Sequence, residues 1–359
     1  MKVIDRYIVK QFLTTFFFAM LLLNLICIVI DITEKIDNFI ENKAPLKAVI
    51  FDYYLNFVPW ITLLLAPIFV FISVIYFTSR MTSNTEVICM LNGGVSFNRL
   101  LVPYIWTSVF LALIFAYFNH YALPKSNAKR IAFEEVYSTK KDKKVYVQNY
   151  HFQIGKDTFL FTQNFDAFNN SGYKMSMEKI DNKDLKYRLE AENMRWDSTS
   201  RKWILNLYTI RISQGRNDLL IKGQDTIMYL PVTPKEYVRQ LYDIETMTTP
   251  QLIKFIRDQK RKGSENVKFF ELEKYRRTAI PFSVIILTLI GVAMTTHKVR
   301  SGMGIYLVVG LFISGAYVLI QQFSSVFATQ GNLNPFVGAW IPNILFIIVA
   351  IVLLRRAPK

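Results

Sequence analysis

The sequence is poor in the residues that most often do chemistry. Its 359 residues include two cysteines and three histidines. Two cysteines cannot build a disulfide framework. Cys27 sits in an apolar run and Cys89 in a polar loop, so both read as packing residues. His120, His151 and His297 share no ligand spacing, so no metal centre is expected, nor any cofactor. A phosphate-cradling loop is missing too: Gly93-Gly94 is followed by Val-Ser-Phe-Asn-Arg, without the lysine such a loop needs. Serine, histidine and aspartate are scattered, with no nucleophile–base couple, so the chain is not expected to be an enzyme. Charge is also scarce. Charged residues make up 19% of the chain, against about 25% in an ordinary soluble domain.

What is there is apolar, at 52%, and gathered in blocks. A run of about twenty apolar residues crosses a bilayer core as a helix. Six segments qualify: residues 12–30, 57–77, 100–123, 279–295, 305–323 and 336–354. The first is too long for a signal-peptide core and no small-residue cleavage site follows, so it reads as a retained span. The second contains Pro59 and Pro67, which membrane helices tolerate when neighbours satisfy the freed carbonyls. Short-loop cations set the orientation. Lys2, Arg6, Lys10, Arg80, Arg99, Lys298, Arg300, Arg355, Arg356 and Lys359 fall on one side, and Lys35, Lys43 and Lys47 on the other. Both termini are therefore expected in the cytoplasm, with the long segment between the third and fourth spans outside. The net charge of +16 suits an anionic partner. With the charge set among membrane spans, that partner is expected to be a lipid or phosphorylated group rather than nucleic acid.

Residues 125–277 hold no span and carry 30 Lys and Arg against 20 Asp and Glu, a net of +10. Five stretches alternate with the period of strands: KVYVQNYHFQIG, TFLFTQNF, YKMSMEKI, LKYRLEAENMRW and KWILNLYTIRIS. Turn signals such as Asn169–Gly172 and Asp197–Ser200 separate them. The fold class is thus an α-helical membrane protein with six transmembrane helices and an inserted all-β, jelly-roll-like domain. Such a sheet either closes over its own core or leaves an apolar trough for a lipid. The expected domains are 1–124 (spans one to three), 125–247 (the β domain), 248–277 (a linker helix region) and 278–359 (spans four to six). In the linker, Thr249, Pro250 and Gly263 suit the cap, first turn and stop of a short amphipathic helix.

Two further features bear on function. The loop TSRMTSNTEVICMLNGGVSF is too long for a turn. Ser83 or Asn84 suits the cap of a helix running through Met90, with Glu86 in its first turn, an apolar face from Val87, Ile88 and Leu91, and a stop at Asn92-Gly93-Gly94. It could lie on the membrane or dock into a protein. No Lys or Arg occurs between Met81 and Asn98, whereas a membrane-surface helix is rich in them, so a protein partner is favoured. The second feature is a set of cations at the outer surface: Lys125, Lys129 and Arg130 after the third span, and Lys274, Arg276 and Arg277 before the fourth. They either snorkel to head groups as anchors or form a collar for an anionic amphiphile.

The chain resembles the LptF/LptG permease family, the membrane subunits of the lipopolysaccharide-export ABC transporter. The likeness rests on IDRYIVKQFLTTF, on PWITLLLAPIFVFISVIYFTSRMTSNTEVICMLNGGVSFNRLLVP, on the ALP at residues 122–124, and on ELEKYRRTAIPFSVIILTLIGVAM and GNLNPFVGAWIPNILFIIVAIVLL. The opening and the TTPQLIKFI helix are more similar to the G than to the F subunit. The resemblance implies a location in the inner membrane and a paralogous permease subunit as partner. It also implies a cytoplasmic ABC ATPase dimer docked at a coupling helix around Glu86, with Arg80, Val87, Leu91 and Gly93 contributing. Lipopolysaccharide would enter between first and fifth spans and pass through the jelly roll to a periplasmic bridge protein. One departure stands out. The family can carry lysines near the outer end of the first span, but here the stretch reads Asp31, Glu34, Lys35, Asp37. Head-group contacts are therefore expected instead from Lys125, Lys129 and Arg130, with Lys274, Arg276 and Arg277, or from a divalent cation that bridges the acids to phosphate. A membrane-anchored assembly scaffold is the alternative from another class.

Overall fold

The computed structural model describes residues 3–137, 146–155, 157–181, 184–214, 217–234, 237, 244–261, 266–296 and 303–357. Lys2, Lys140, Lys141, Gly263, His297, Lys298, Arg300 and Lys359 lie outside them. The chain divides into two compact units, one of Met1–Glu134, Thr246–Ile253 and Lys268–Lys359, the other of Glu135–Glu245 and Lys254–Val267.

The first unit is helical. Helix α1 spans Val3–Glu41. A short turn and a π-helical segment, Val49–Tyr54, lead into α2, Leu55–Ser83. Helix α3 is Glu86–Asn92. Helix α4, Phe97–Tyr117, continues through a π-helical segment, Phe118–Ala122, into α5, Leu123–Tyr137. After the β unit come α6 (Thr249–Arg261), α7 (Val267–Thr295), α8 (Met303–Gln330) and α9 (Pro335–Arg356). Among the described residues, six passages are long and apolar enough to cross a membrane: α1, Leu46–Ser83, Phe97–Tyr137, α7, α8 and α9. They contain the six stretches expected from the sequence. α1 has 39 residues, about 58 Å at 1.5 Å each, so it overshoots a core of about 30 Å. The third passage likewise continues past residue 124 to Tyr137. There Ile131, Phe133 and Glu134 are buried, so the charged LPKSNAKRIAFEEVY stretch still has an inward face.

The two largest apolar clusters of this unit among the described residues join most of its helices. One joins Ile8 and Phe12 of α1, Phe77 of α2, Val87 of α3, Tyr104 of α4 and Val284 of α7. The other joins Phe71 and Ile75 of α2, Leu287 of α7, Tyr306 and Tyr317 of α8 and Phe346 of α9. α2 and α7 serve both, and 67% of the apolar window of α7 is buried. The figure is 11% for α1 and 22% for α8, so these two present most of their apolar surface outward.

The second unit contains six antiparallel strands in sequential order: β1 Tyr146–Gly155, β2 Thr158–Asp166, β3 Ser171–Asp181, β4 Asp184–Asp197, β5 Lys202–Gln214 and β6 Asn217–Met228. Five of the six were legible as alternating stretches. The sheet is antiparallel with one apolar face, as expected. Its described strands follow one another as a meander, without the crossing of a Greek key. That face carries Tyr150, Leu160, Phe165, Leu189, Trp203 and Leu205, covered by Leu230, Val232 and Tyr237. Trp203 Nε1 donates to the Val232 carbonyl at 2.7 Å, and the Tyr237 ring stacks on Phe165 with centroids 4.1 Å apart. This part of the face is therefore closed over a core. Each ladder skips one pair along a single transverse row, Gln163–Lys174–Glu192–Leu207, and Lys174 and Leu207 there have φ near +51°. The sheet is creased along that row.

Candidate functional site

The loop between α2 and α4 forms a compact element. α2 ends at Ser83, and the Asn84 and Thr85 amides donate to the Arg80 and Thr82 carbonyls. Thr85 turns the chain with φ +64° and no side-chain cap. The helix thus begins at Glu86 rather than at the expected Ser83 or Asn84 cap, because α2 consumes those residues. It ends in a Schellman motif: the Gly94 amide bonds the Leu91 carbonyl, the Val95 amide bonds the Met90 carbonyl, and Gly94 has φ +84°.

Glu86 faces the start of α1. Tyr7 Oη donates to its Oε2 at 2.9 Å, and Asn84 Nδ2 approaches Oε1 at 3.4 Å. Val87 is fully buried among Ile8, Phe12 and Phe97, so it anchors the helix to this chain's own core. Leu91 packs partly against the same core. Arg80, Cys89, Asn92 and Gly93 are exposed. Cys89 was expected to pack and does not. At the far edge of the loop Ser96 caps α4, and Arg99 Nη2 bridges Asp5 Oδ2 of α1 at 2.7 Å. The element is a small rigid knob with a polar outward face, clamped to α1 at both sides.

The opposite end of the bundle holds a buried ionic cluster. Lys35 Nζ lies 3.1 Å from Asp31 Oδ1 and 3.1 Å from Glu134 Oε1. Arg130 Nη1 meets the same Glu134 oxygen at 3.3 Å, its Nε donates to Asn127 Oδ1, and its guanidinium lies 4.6 Å from the Trp60 ring centre. Tyr53, fully buried, accepts from Lys35 and donates to Asp31 Oδ1 at 3.0 Å. Two acids and two bases thus neutralise each other, which is how charged groups survive burial. The cluster ties α1, the Val49–Tyr54 segment and α5.

The expected basic collar divides accordingly. Lys125 and Lys129 are exposed, while Arg130 is buried in the ionic cluster. On α7, Arg277 is buried: its Nη1 donates to the Met247 carbonyl at 2.7 Å, and its Nε lies 3.7 Å from Glu273 Oε1. Arg276 approaches Glu273 at 4.0 Å, and the Lys274 ammonium lies 4.0 Å from its neighbour Tyr275's ring centre. His120, on the π-helical segment, bonds Thr249 Oγ1 through Nδ1 at 2.7 Å. Thr249 has this freedom because the cap falls one residue earlier than expected. The Thr248 amide and hydroxyl both donate to Gln251 Oε1, and the Leu252 amide bonds the Thr248 carbonyl.

A family model, lipopolysaccharide export system permease LptF/LptG, matches residues 6–356, nearly the whole chain. The chain belongs to the LptF/LptG family. The match does not separate the F from the G subunit. A curated relative, an uncharacterized protein of Aquifex aeolicus (strain VF5), is 26% identical over 190 residues. The alignment spans 51% of this chain and 51% of that relative's length. For an LptF/LptG protein the knob at Glu86–Asn92 and the cationic rim of the bundle are the two candidate functional regions.

Proposed function

We propose that the chain is one permease subunit of an ATP-driven exporter that extracts lipopolysaccharide from the outer leaflet of the inner membrane and passes it to a periplasmic bridge protein. A paralogous subunit completes the permease, and a separate cytoplasmic ATPase dimer supplies the energy at α3. The family match across six spans and an inserted β unit carries this reading. Several features support its parts. α1 and α8, the first and fifth spans, have the largest outward apolar faces, as a lipid entrance shared between two subunits requires. α3 is short, rigid and free of Lys and Arg, which suits docking into a protein better than lying on anionic head groups. Lys125 and Lys129 are exposed at the rim, where charge-assisted bonds to phosphate are strong. Arg130 and Arg277 play a supporting part there, holding helices in place through Glu134 and Glu273.

The test is co-purification. Membranes containing the chain should yield a complex with an ABC ATPase, and the chain alone should hydrolyse no ATP. Glu86→Lys puts a cation at the positive end of a helix; with Leu91→Asp, it should strip the ATPase while membrane insertion stays normal. Full retention of the ATPase in that double variant would remove α3 as the docking element.

A further inference from the structure

The polar side-chain contacts of the knob with the rest of the bundle run to α1. α1 is the least buried passage, with 11% of its apolar window covered by this chain. Apolar packing alone therefore holds it weakly. Its first turns are nevertheless fastened on both flanks of the loop. Tyr7 bonds Glu86 at the beginning of α3, and Asp5 pairs with Arg99 just after its end. Asp5 is 7% exposed, so the carboxylate end of that pair is covered while the Arg99 side chain keeps 35% of its surface open, and the bond is charge-assisted. Between these two ties Ile8 packs with Val87 in one cluster. Three residues of α1 within one helical turn thus grip the start of the loop, at Glu86 and Val87, and its exit, at Arg99.

The two polar ties differ in a useful way. Tyr7 is 42% exposed, so its bond to Glu86 competes with water while α3 is uncovered. A partner seated on α3 would exclude that water and strengthen the bond. The Asp5–Arg99 pair joins two full charges and has its carboxylate buried, so it depends less on that cover. Docking therefore tightens the link between loop and α1 without creating it.

We propose that Tyr7 and the Asp5–Arg99 pair are transmission residues that make α1 and the α3 loop one moving part, so that displacement of α3 by a docked ATPase is delivered directly to the cytoplasmic end of the first span. This deepens, and rests on, the reading of α3 as the ATPase docking element. Neither Tyr7 nor Asp5 was singled out from the sequence. They act through Glu86 and Arg99 as positioning residues.

The experiment uses the full complex of permease, paralogous subunit and ATPase in lipid nanodiscs loaded with lipopolysaccharide. Three quantities are read for each variant: ATPase retained, ATP hydrolysed, and lipid released per ATP. In Tyr7→Phe with Asp5→Asn, retention and hydrolysis should stay within about twofold of the parent, while lipid released per ATP falls at least fivefold. The charge swap Asp5→Arg with Arg99→Asp, keeping Tyr7, should recover most of that ratio. An unchanged ratio in the Tyr7→Phe, Asp5→Asn variant overturns the proposal. So does a parallel loss of retention and hydrolysis, which marks a purely structural or docking role. If the first variant fails to assemble, the swap and Tyr7→Phe alone decide: a normal ratio in Tyr7→Phe together with no recovery in the swap also overturns it. Failure of the docking reading looks different, because Glu86→Lys with Leu91→Asp would then leave the ATPase in place.

Discussion

At the scale of single residues, backbone geometry explains more than side-chain chemistry does. Gly94 has φ +84° and closes α3 with two backbone bonds, while an added Cβ would meet nothing within 4 Å. The cost of Gly94→Ala is therefore purely conformational, on the order of 1–2 kcal/mol. Gly93, at φ −76°, lacks that requirement; a Cβ there would meet the Cys89 carbonyl at 3.1 Å, which a shift of a few tenths of an ångström relieves, so Gly93→Ala should cost less. Unfolding of both variants in detergent measures the difference, and equal losses would refute the assignment of Gly94 as the left-handed cap residue. The sequence showed both glycines ending the helix but not which one bends, because that depends on where the preceding helix stops. A second residue-scale case is Asp197. Its carboxylate accepts the Thr199 and Ser200 amides at 3.0 and 3.3 Å. The Ser200 hydroxyl and the Thr199 amide hold its pKa below the usual carboxylate range. A lowered folded pKa means that the turn gains stability above the unfolded value, about 3.9, and loses it as pH falls through the folded value. The carboxyl carbon shift of Asp197, followed by NMR from pH 6 to 2, should titrate below the ordinary midpoint. A midpoint at or above it would contradict the bonded turn.

At the scale of elements, the misreadings have specific physical causes. Strand β6, NDLLIKGQDTIM, hid its period behind a Leu-Leu-Ile run and Gly223. The glycine leaves room for the Tyr208 ring of β5, which a Cβ there would meet at 2.5 Å and push aside, a contact no single-strand pattern contains. The acidic stretch after the first span looked unfavourable for function, and Arg130 looked like a surface cation. The clue was the spacing: Asp31/Lys35 and Arg130/Glu134 are both i,i+4 pairs on helices. What joined the two pairs, the Lys35–Glu134 contact across 99 residues, was not legible. The cluster makes a strong prediction. Removing one charge of a buried, paired set costs about 3–5 kcal/mol, because its partners stay buried and uncompensated. Glu134→Gln leaves Lys35 and Arg130 short of one carboxylate and should lose stability of that order. Lys129→Ala, one residue from Arg130 but exposed, should stay within about 0.5 kcal/mol of the parent. Thermal unfolding in detergent separates the two, and similar midpoints would show the cluster to be energetically idle.

At the scale of the whole molecule, length and apolar blocks give six spans, and the bias of short-loop cations predicts their direction. The collar idea depends on that direction, since lipopolysaccharide is expected in the outer leaflet. If it is right, residues 171 and 198 lie outside and residue 96 inside. A cysteine introduced at the exposed Ser198 should then react with an impermeant thiol reagent in cells with a permeabilised outer membrane, and one at the exposed Ser96 should not. The exposed native Cys89 would lie on the inside and stay silent, which makes the unmodified chain a built-in control. The collar itself narrows to the exposed members. Lys125 and Lys129 sit on α5 beside the ionic cluster that orients the helix. Lys125→Glu with Lys129→Glu should reduce the lipopolysaccharide retained per purified transporter. A bond to phosphate shielded by acyl chains contributes about 1–3 kcal/mol, so two such losses amount to at least tenfold in affinity. The matching control is Lys222→Glu with Lys186→Glu, two exposed lysines on the β sheet, which leave the rim untouched. Equal retention in both double variants, at equal expression and equal ATPase occupancy, would leave the rim lysines as membrane anchors and transfer head-group recognition to the apolar faces of α1 and α8 or to the partner subunit.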